Sequence, residues 1–186
     1  MSVGALLLTP GAGANRDNRI LLTLETAVAP LPCERVDFPY RLAGKRMPDP
    51  APIAIAHLRA AATELVTAAG VPAGQLVLGG RSYGGRMCSL AVAEGLPAAG
   101  LMLLSYPLHP PGRPDKLRVD HFPQLNLPVL FVSGEKDPFG TPAEFDRWVA
   151  EIPGPVTQMW LPGGHDPRPS TDDALIDAVR EWMHTL

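Results

Sequence analysis

Residues 75–95 read QLVLGGRSYGGRMCSLAVAEG, and this stretch decides how the rest of the chain is understood. Residues 75–78 form a short apolar run of strand type, and residues 83–94 have helical character, ended by Gly95. Between them lies Gly80-Arg81-Ser82-Tyr83-Gly84, a Gly-x-Ser-x-Gly sequence followed by Gly85. A serine on so sharp a strand-to-helix turn sits in strained backbone. The residues two before and two after it must be small for the turn to close, which accounts for Gly80 and Gly84. The turn points the hydroxyl outward, and the helix N-terminus beneath favours developing negative charge. Ser82 is therefore a candidate nucleophile. The plainer alternative is a glycine-rich turn carrying an incidental serine.

The same rhythm of apolar run, turn and amphipathic stretch extends in both directions. Strands are expected at residues 4–9, 33–40, 75–78, 100–105, 128–133 and 156–161. The second alternates polar and apolar residues and contains Pro39, which places it at a sheet edge. Helices are expected at 15–29, where Pro30 stops the pattern, and after Asp49-Pro50, ending near Gly70 with Ile55, Leu58, Ala62, Leu65 and Val66 inward. Thr141-Pro142-Ala143-Glu144 reads as a capping box before Phe145, Trp148, Val149 and Ile152. Ser170 with Asp173 is expected to cap a last helix, with Leu175, Ile176, Val179, Trp182 and Met183 inward. Strands alternating with helices imply an α/β fold, a single-domain doubly wound sheet of about six parallel strands. Such sheets bind ligands beyond the carboxyl ends of their strands.

A chain of 186 residues is the size of one domain, and 46% hydrophobic with 19% charged residues describes a folded globular chain. The formal net charge of -3 argues against nucleic acid as a partner. No apolar run approaches the ~20 residues that span a bilayer. Residues 1–10 lack the basic start and cleavage site of a signal peptide, so a cytoplasmic, non-membrane protein is expected. Cys33 and Cys88 are too few for a disulfide framework or a zinc site.

A serine hydroxyl needs a base, and the base needs an orienting acid. After the fifth strand comes Gly134-Glu135-Lys136-Asp137-Pro138-Phe139-Gly140. Asp137 has the better loop position for the acid. Glu135, nearer the strand, competes, and an Asp-Pro turn is the plain reading. After the sixth strand comes Gly163-Gly164-His165-Asp166-Pro167. Of five histidines, His165 alone lies in the loop that leaves the last strand, after the proposed acid, while His184 falls in the last turn of a helix, so His165 is the candidate base, with Asp166 available to brace the loop. The oxyanion of acyl transfer needs two N–H donors. Tyr83 supplies one, and the loop Pro10-Gly11-Ala12-Gly13-Ala14 the other, through Ala12 first and Gly13 second. That loop lacks the third glycine and the ribose-binding acid of a dinucleotide site. Arg81, His109, Arg113 and Arg118 fall on or near this face. Arg81 and His109 are candidate substrate-binding residues, and a solvated basic loop is the plainer reading. Nothing calls for a metal or an organic cofactor.

The stretches 79–86 (GGRSYGGR), 106–112 (YPLHPPG) and 128–140 (PVLFVSGEKDPFG) resemble the α/β-hydrolases, specifically the small dienelactone-hydrolase-like branch. Within it they are most similar to a group that includes a subunit of the non-specific lethal histone-acetyltransferase complex. The resemblance implies Ser82 as nucleophile, Asp137 as acid and His165 as base. Dienelactone hydrolases use a cysteine where this chain has Ser82, so lactone specificity is not carried over. The group often shows Asp-His where this chain reads His165-Asp166. The resemblance further implies strand order 2-1-3-4-5-6, without the first antiparallel hairpin and without a cap domain. The proline-rich segment 106–126 is left as a stiff flap. Two functions from different classes follow. One is a serine hydrolase of a small-molecule ester or thioester, acting through an acyl-enzyme as monomer or homodimer. The other is a non-catalytic interaction or scaffold protein that keeps the fold and a cleft.

Overall fold

The computed structural model describes residues 3–186. Met1 and Ser2, the first residues of the stretch read for a leader, lie outside the described residues. Six strands, β1 (Ala5–Thr9), β2 (Cys33–Arg35), β3 (Leu76–Arg81), β4 (Gly100–Leu104), β5 (Val129–Gly134) and β6 (Val156–Leu161), form one sheet in the order β2-β1-β3-β4-β5-β6. Every pairing is parallel. A parallel connection needs a crossover, and six helices fill that role or flank it: α1 (Arg19–Val28), α2 (Pro39–Leu42), α3 (Ala51–Ala69), α4 (Tyr83–Ala93), α5 (Pro142–Val149) and α6 (Asp172–His184).

The central strands are apolar throughout because both faces are covered. Side chains alternate across the sheet. Ala5, Leu7, Leu76, Leu78, Leu101, Leu103, Val129 and Phe131 pack with Leu58, Met87 and Phe145 from α3, α4 and α5. Leu6, Leu8, Val77, Met102, Leu104, Leu130 and Val132 face α1 and α6, where they meet Ile20, Leu24, Val179 and Trp182. The edge strand β6 is only half-buried until Leu161.

The structure departs from the sequence expectations at element ends. β2 stops at Arg35 rather than Tyr40, because Pro39 starts the short helix α2 and the Asp49 carboxylate accepts the Tyr40 N–H at 2.8 Å. Asp49 is thus spent on α2 and does not cap α3, whose N-cap is Pro50. α1 begins at Arg19, not near Asn15: Asn15 closes a turn with Asp17, and the Asn18 side chain accepts the Ile20 N–H. Neither Ser170 nor Asp173 caps α6. Pro169–Thr171 is a turn of 3-10 helix leading into Asp172, and the Thr171 hydroxyl donates back to the Arg168 carbonyl. At α5 the Thr141 N–H and hydroxyl both donate to the Glu144 carboxylate. α3 ends where Gly70 takes φ +66°, a left-handed conformation that glycine adopts without strain. Among the described residues no helix is long and apolar enough to cross a membrane.

Candidate active site

Three loops leaving β3, β5 and β6 meet at the carboxyl edge of the sheet. β3 runs straight into α4 with Ser82 between them, at φ 50° and ψ -116°. A non-glycine residue held there costs on the order of 1–3 kcal/mol, and the surroundings must over-determine it. They do: the Ser82 N–H donates to the Leu104 carbonyl at 2.8 Å, and the Ser82 carbonyl accepts from Arg86 at 3.0 Å. The turn also brings β3 and α4 against β1 more closely than side chains permit. A Cβ on Gly80 would overlap Gly85 N and Thr9 Oγ1, and one on Gly84 would lie 2.6 Å from the Pro10 carbonyl oxygen. The glycines on either side of the serine are therefore a packing requirement, as the motif suggests.

Ser82 Oγ lies 2.9 Å from His165 Nε2. His165 Nδ1 lies 2.8 Å from Asp137 Oδ2 and 3.0 Å from Oδ1. Asp137 is 2% exposed, and its Oδ1 also accepts the Phe139 N–H at 2.9 Å. These are the distances at which a proton can pass from hydroxyl to imidazole while a carboxylate fixes the ring. The competing acids are elsewhere. Glu135 is exposed, and the Asp166 carboxylate turns to the Arg81 guanidinium with its side chain 84% exposed.

The histidine loop is held from several sides. The Lys136 N–H donates to the Gly163 carbonyl at 2.9 Å, and the loop crosses Gly134 so closely that a Cβ there would lie 2.6 Å from the Gly163 oxygen. Arg81 donates to the His165 carbonyl at 3.3 Å and to the Asp166 carboxylate. The Phe139 ring lies on the imidazole, centroids 4.1 Å apart and planes tilted by 30°. Sequence reasoning did not assign Phe139; its place two residues after Asp137 was the available signal.

Two other expectations change in character. His109 is 5% exposed, with Nδ1 2.8 Å from the Pro110 carbonyl and Nε2 3.2 Å from Glu144. Its own N–H donates to the Phe139 carbonyl. It braces the acid loop and presents no free nitrogen. The Thr141 N–H and hydroxyl, then His109, hold the Glu144 carboxyl below its usual range. Arg81 is 8% exposed and occupied by the histidine loop. Both residues are engaged by the loops around His165 and Asp137.

Gly11 is buried against the serine: a Cβ on it would lie 3.5 Å from Ser82 Cβ. The Gly11 carbonyl accepts from Ala14 and the Ala12 carbonyl from the Tyr40 hydroxyl at 2.6 Å, which fixes the loop's peptide planes. Among the described residues the N–H groups of Ala12 and Tyr83 meet no acceptor. Gly13 is exposed at the loop tip, and a Cβ there would meet nothing within 4 Å. The Tyr83 ring packs edge-on to Phe38, and its hydroxyl donates to the Asp49 carbonyl at 2.9 Å. Tyr40 was assigned to a strand from its sequence, so its hold on the Ala12 loop had no local signal.

The fold is shared with known structures. A dienelactone hydrolase from Anabaena variabilis superposes with a TM-score of 0.78 at 18% identity, over 99% of this chain and 87% of that one. Est1E from Butyrivibrio proteoclasticus, with ferulic acid bound, gives 0.75 at 14%, over 99% and 89%. A member of the alpha/beta superfamily of hydrolases from Xanthomonas campestris pv. campestris gives 0.72 at 20%, over the full length of both. In sequence, the Alpha/beta hydrolase domain family matches residues 2–181, nearly the whole chain. On that match and this architecture, the chain belongs to the alpha/beta hydrolase domain family.

Proposed function

We propose that the protein is a serine hydrolase that cleaves an ester or thioester of a small acyl substrate through an acyl-enzyme. The observation that carries this reading is the unbroken chain of hydrogen bonds from Ser82 through His165 to Asp137. Ser82 Oγ attacks the acyl carbon while His165 Nε2 takes its proton. Asp137 keeps the proton on Nδ1 and stabilises the imidazolium that forms. The tetrahedral oxyanion is held by the N–H groups of Tyr83 and Ala12, both without another acceptor. His165 then returns the proton to the leaving group, and a water activated by the same imidazole releases the acid and restores Ser82. The resemblance to the dienelactone-hydrolase-like branch, with a cytoplasmic setting, belongs to this reading. A scaffold role has no use for a serine, a histidine and a carboxylate aligned at 2.8–2.9 Å.

The test is labelling by a fluorophosphonate probe, with the adduct located by mass spectrometry. The expected result is a single adduct on Ser82 that is absent from Ser82→Ala. An adduct elsewhere, or none on folded protein, overturns the assignment.

A further inference from the structure

A cavity of about 340 Å³ lies along α4 where the 106–126 segment folds over it. That volume is within the range of small-molecule sites. Its walls include Arg86, Arg118, His121, Leu90 and Leu117. Arg86 lies one helical turn beyond Ser82, so the cavity flanks the candidate active site without including its three aligned side chains.

The arginines are the unusual feature. Arg86 Nε is fully enclosed and has no hydrogen-bond partner. Neither guanidinium forms an ion pair among the described residues. The carboxylates on the cavity rim, Glu94 and Asp120, are exposed and pair with neither. His121, the other basic side chain here, adds no third cation. Its Nε2 is 2.7 Å from Ser89 Oγ, and burial and the Arg86 charge keep the ring neutral, pushed down to about 4. Burial and the neighbouring Arg86 also lower Arg118 from the usual arginine value. The backbone holds this pair in place: the Arg118 N–H donates to the Leu108 carbonyl, and the Arg118 carbonyl accepts the Tyr106 hydroxyl at 2.7 Å. Two guanidinium groups sharing a partly desolvated cavity repel one another, and an enclosed donor without an acceptor is costly. An anion between the two groups relieves their repulsion, and the planar guanidinium fork matches the paired oxygens of a carboxylate or phosphate.

We propose that this cavity binds a small oxyanion, the phosphate or carboxylate group of a small molecule, between Arg86 and Arg118. The inference stands on the arginine geometry and is independent of the hydrolase reading.

Calorimetric titration of the full chain at low ionic strength, with inorganic phosphate and separately with acetate, tests it. The expected result is saturable binding of at least one probe at one site per chain. Arg86→Gln and Arg118→Gln should each weaken it by ~10-fold or more. Ser82→Ala and Arg147→Gln should bind as the wild type does. The tighter probe identifies the headgroup of the natural ligand, and either preference supports the site. Absence of saturable binding by both probes overturns the proposal, as does unchanged affinity in Arg118→Gln. An equal loss in Arg147→Gln also overturns it, because the binding would then follow net charge. Should Arg86→Gln fail to fold, Arg118→Gln decides alone, since no protein acceptor depends on that side chain.

Discussion

Exchanging Asp137 for asparagine changes one atom in the candidate site, and the structure dictates how the new amide must sit. The Phe139 N–H donates to Oδ1 at 2.9 Å, so the amide oxygen is held on that side. The NH2 group then occupies the Oδ2 position, 2.8 Å from His165 Nδ1. A donor facing Nδ1 forces the imidazole proton onto Nε2, which already faces Ser82 Oγ at 2.9 Å. A protonated Nε2 cannot accept the serine proton. In the serine-protease precedent the same exchange lowers kcat by about 10⁴-fold, equivalent to ~5 kcal/mol of transition-state stabilisation. No rescue is expected from the neighbours, because Asp166 is turned to Arg81 and Glu135 is exposed. Stability should change little, since asparagine keeps the turn and the Phe139 hydrogen bond. Steady-state hydrolysis of a p-nitrophenyl ester, with thermal melting as the folding control, measures both. A rate within about threefold of wild type, less than ~1 kcal/mol, would refute the orienting role of Asp137.

Three further outcomes are expected. Arg81→Gln frees the loop that Arg81 holds through the His165 carbonyl and should lower kcat ~10- to 100-fold while Arg81→Lys recovers part of it; an unchanged kcat refutes the bracing role. Gly80→Ala drives a Cβ into the backbone at Gly85 and should cost ~3 kcal/mol or more, whereas Gly79→Ala meets only the movable ends of Leu8 and Met102 and should cost nearer ~1 kcal/mol; denaturant melts that reverse this order refute the packing argument. His121 is held at about 4 against 6.5 for the free side chain, so between those values the unfolded chain binds a proton that the fold excludes. Its titration costs the fold nothing above pH 6.5 and destabilises it progressively as the pH falls to about 4, by up to ~1.4 kcal/mol per pH unit; urea melts of His121→Gln should lack that slope, and identical slopes refute it.

The central strands were legible because a parallel sheet covered on both faces writes itself as runs such as ALLLT and GLMLL. The glycine-flanked serine was legible because its turn excludes larger residues at fixed offsets. Asp137 and His165 could be picked out because loop position after β5 and β6 is a matter of counting strands. What failed was local polar competition. Asp49-Pro50 reads as an N-cap followed by a first-turn proline, yet α3 takes Pro50 itself as N-cap and the Asp49 carboxylate serves Tyr40, nine residues back. Ser170 could have capped α6, but Thr171 closes a tighter turn one residue later. The hold of Arg81 and His109 on the neighbouring loops was hidden for the same reason: their partners lie 84 and 35 residues away. Such pairings leave no periodic trace in a sequence.

Ser82 leaves the third strand of the sheet, whereas His165 arrives only after the sixth, 83 residues later. During synthesis Ser82 therefore emerges well before the histidine that hydrogen-bonds it. Ser82 would stay unreactive until then, because His165 is delivered by the loop that leaves an edge strand, β6. Reactivity of Ser82 towards an acylating probe during refolding would then serve as a clock for a single late event, the docking of β6 onto β5. An edge strand that stays half-buried until Leu161 would then set the moment at which Ser82 becomes reactive.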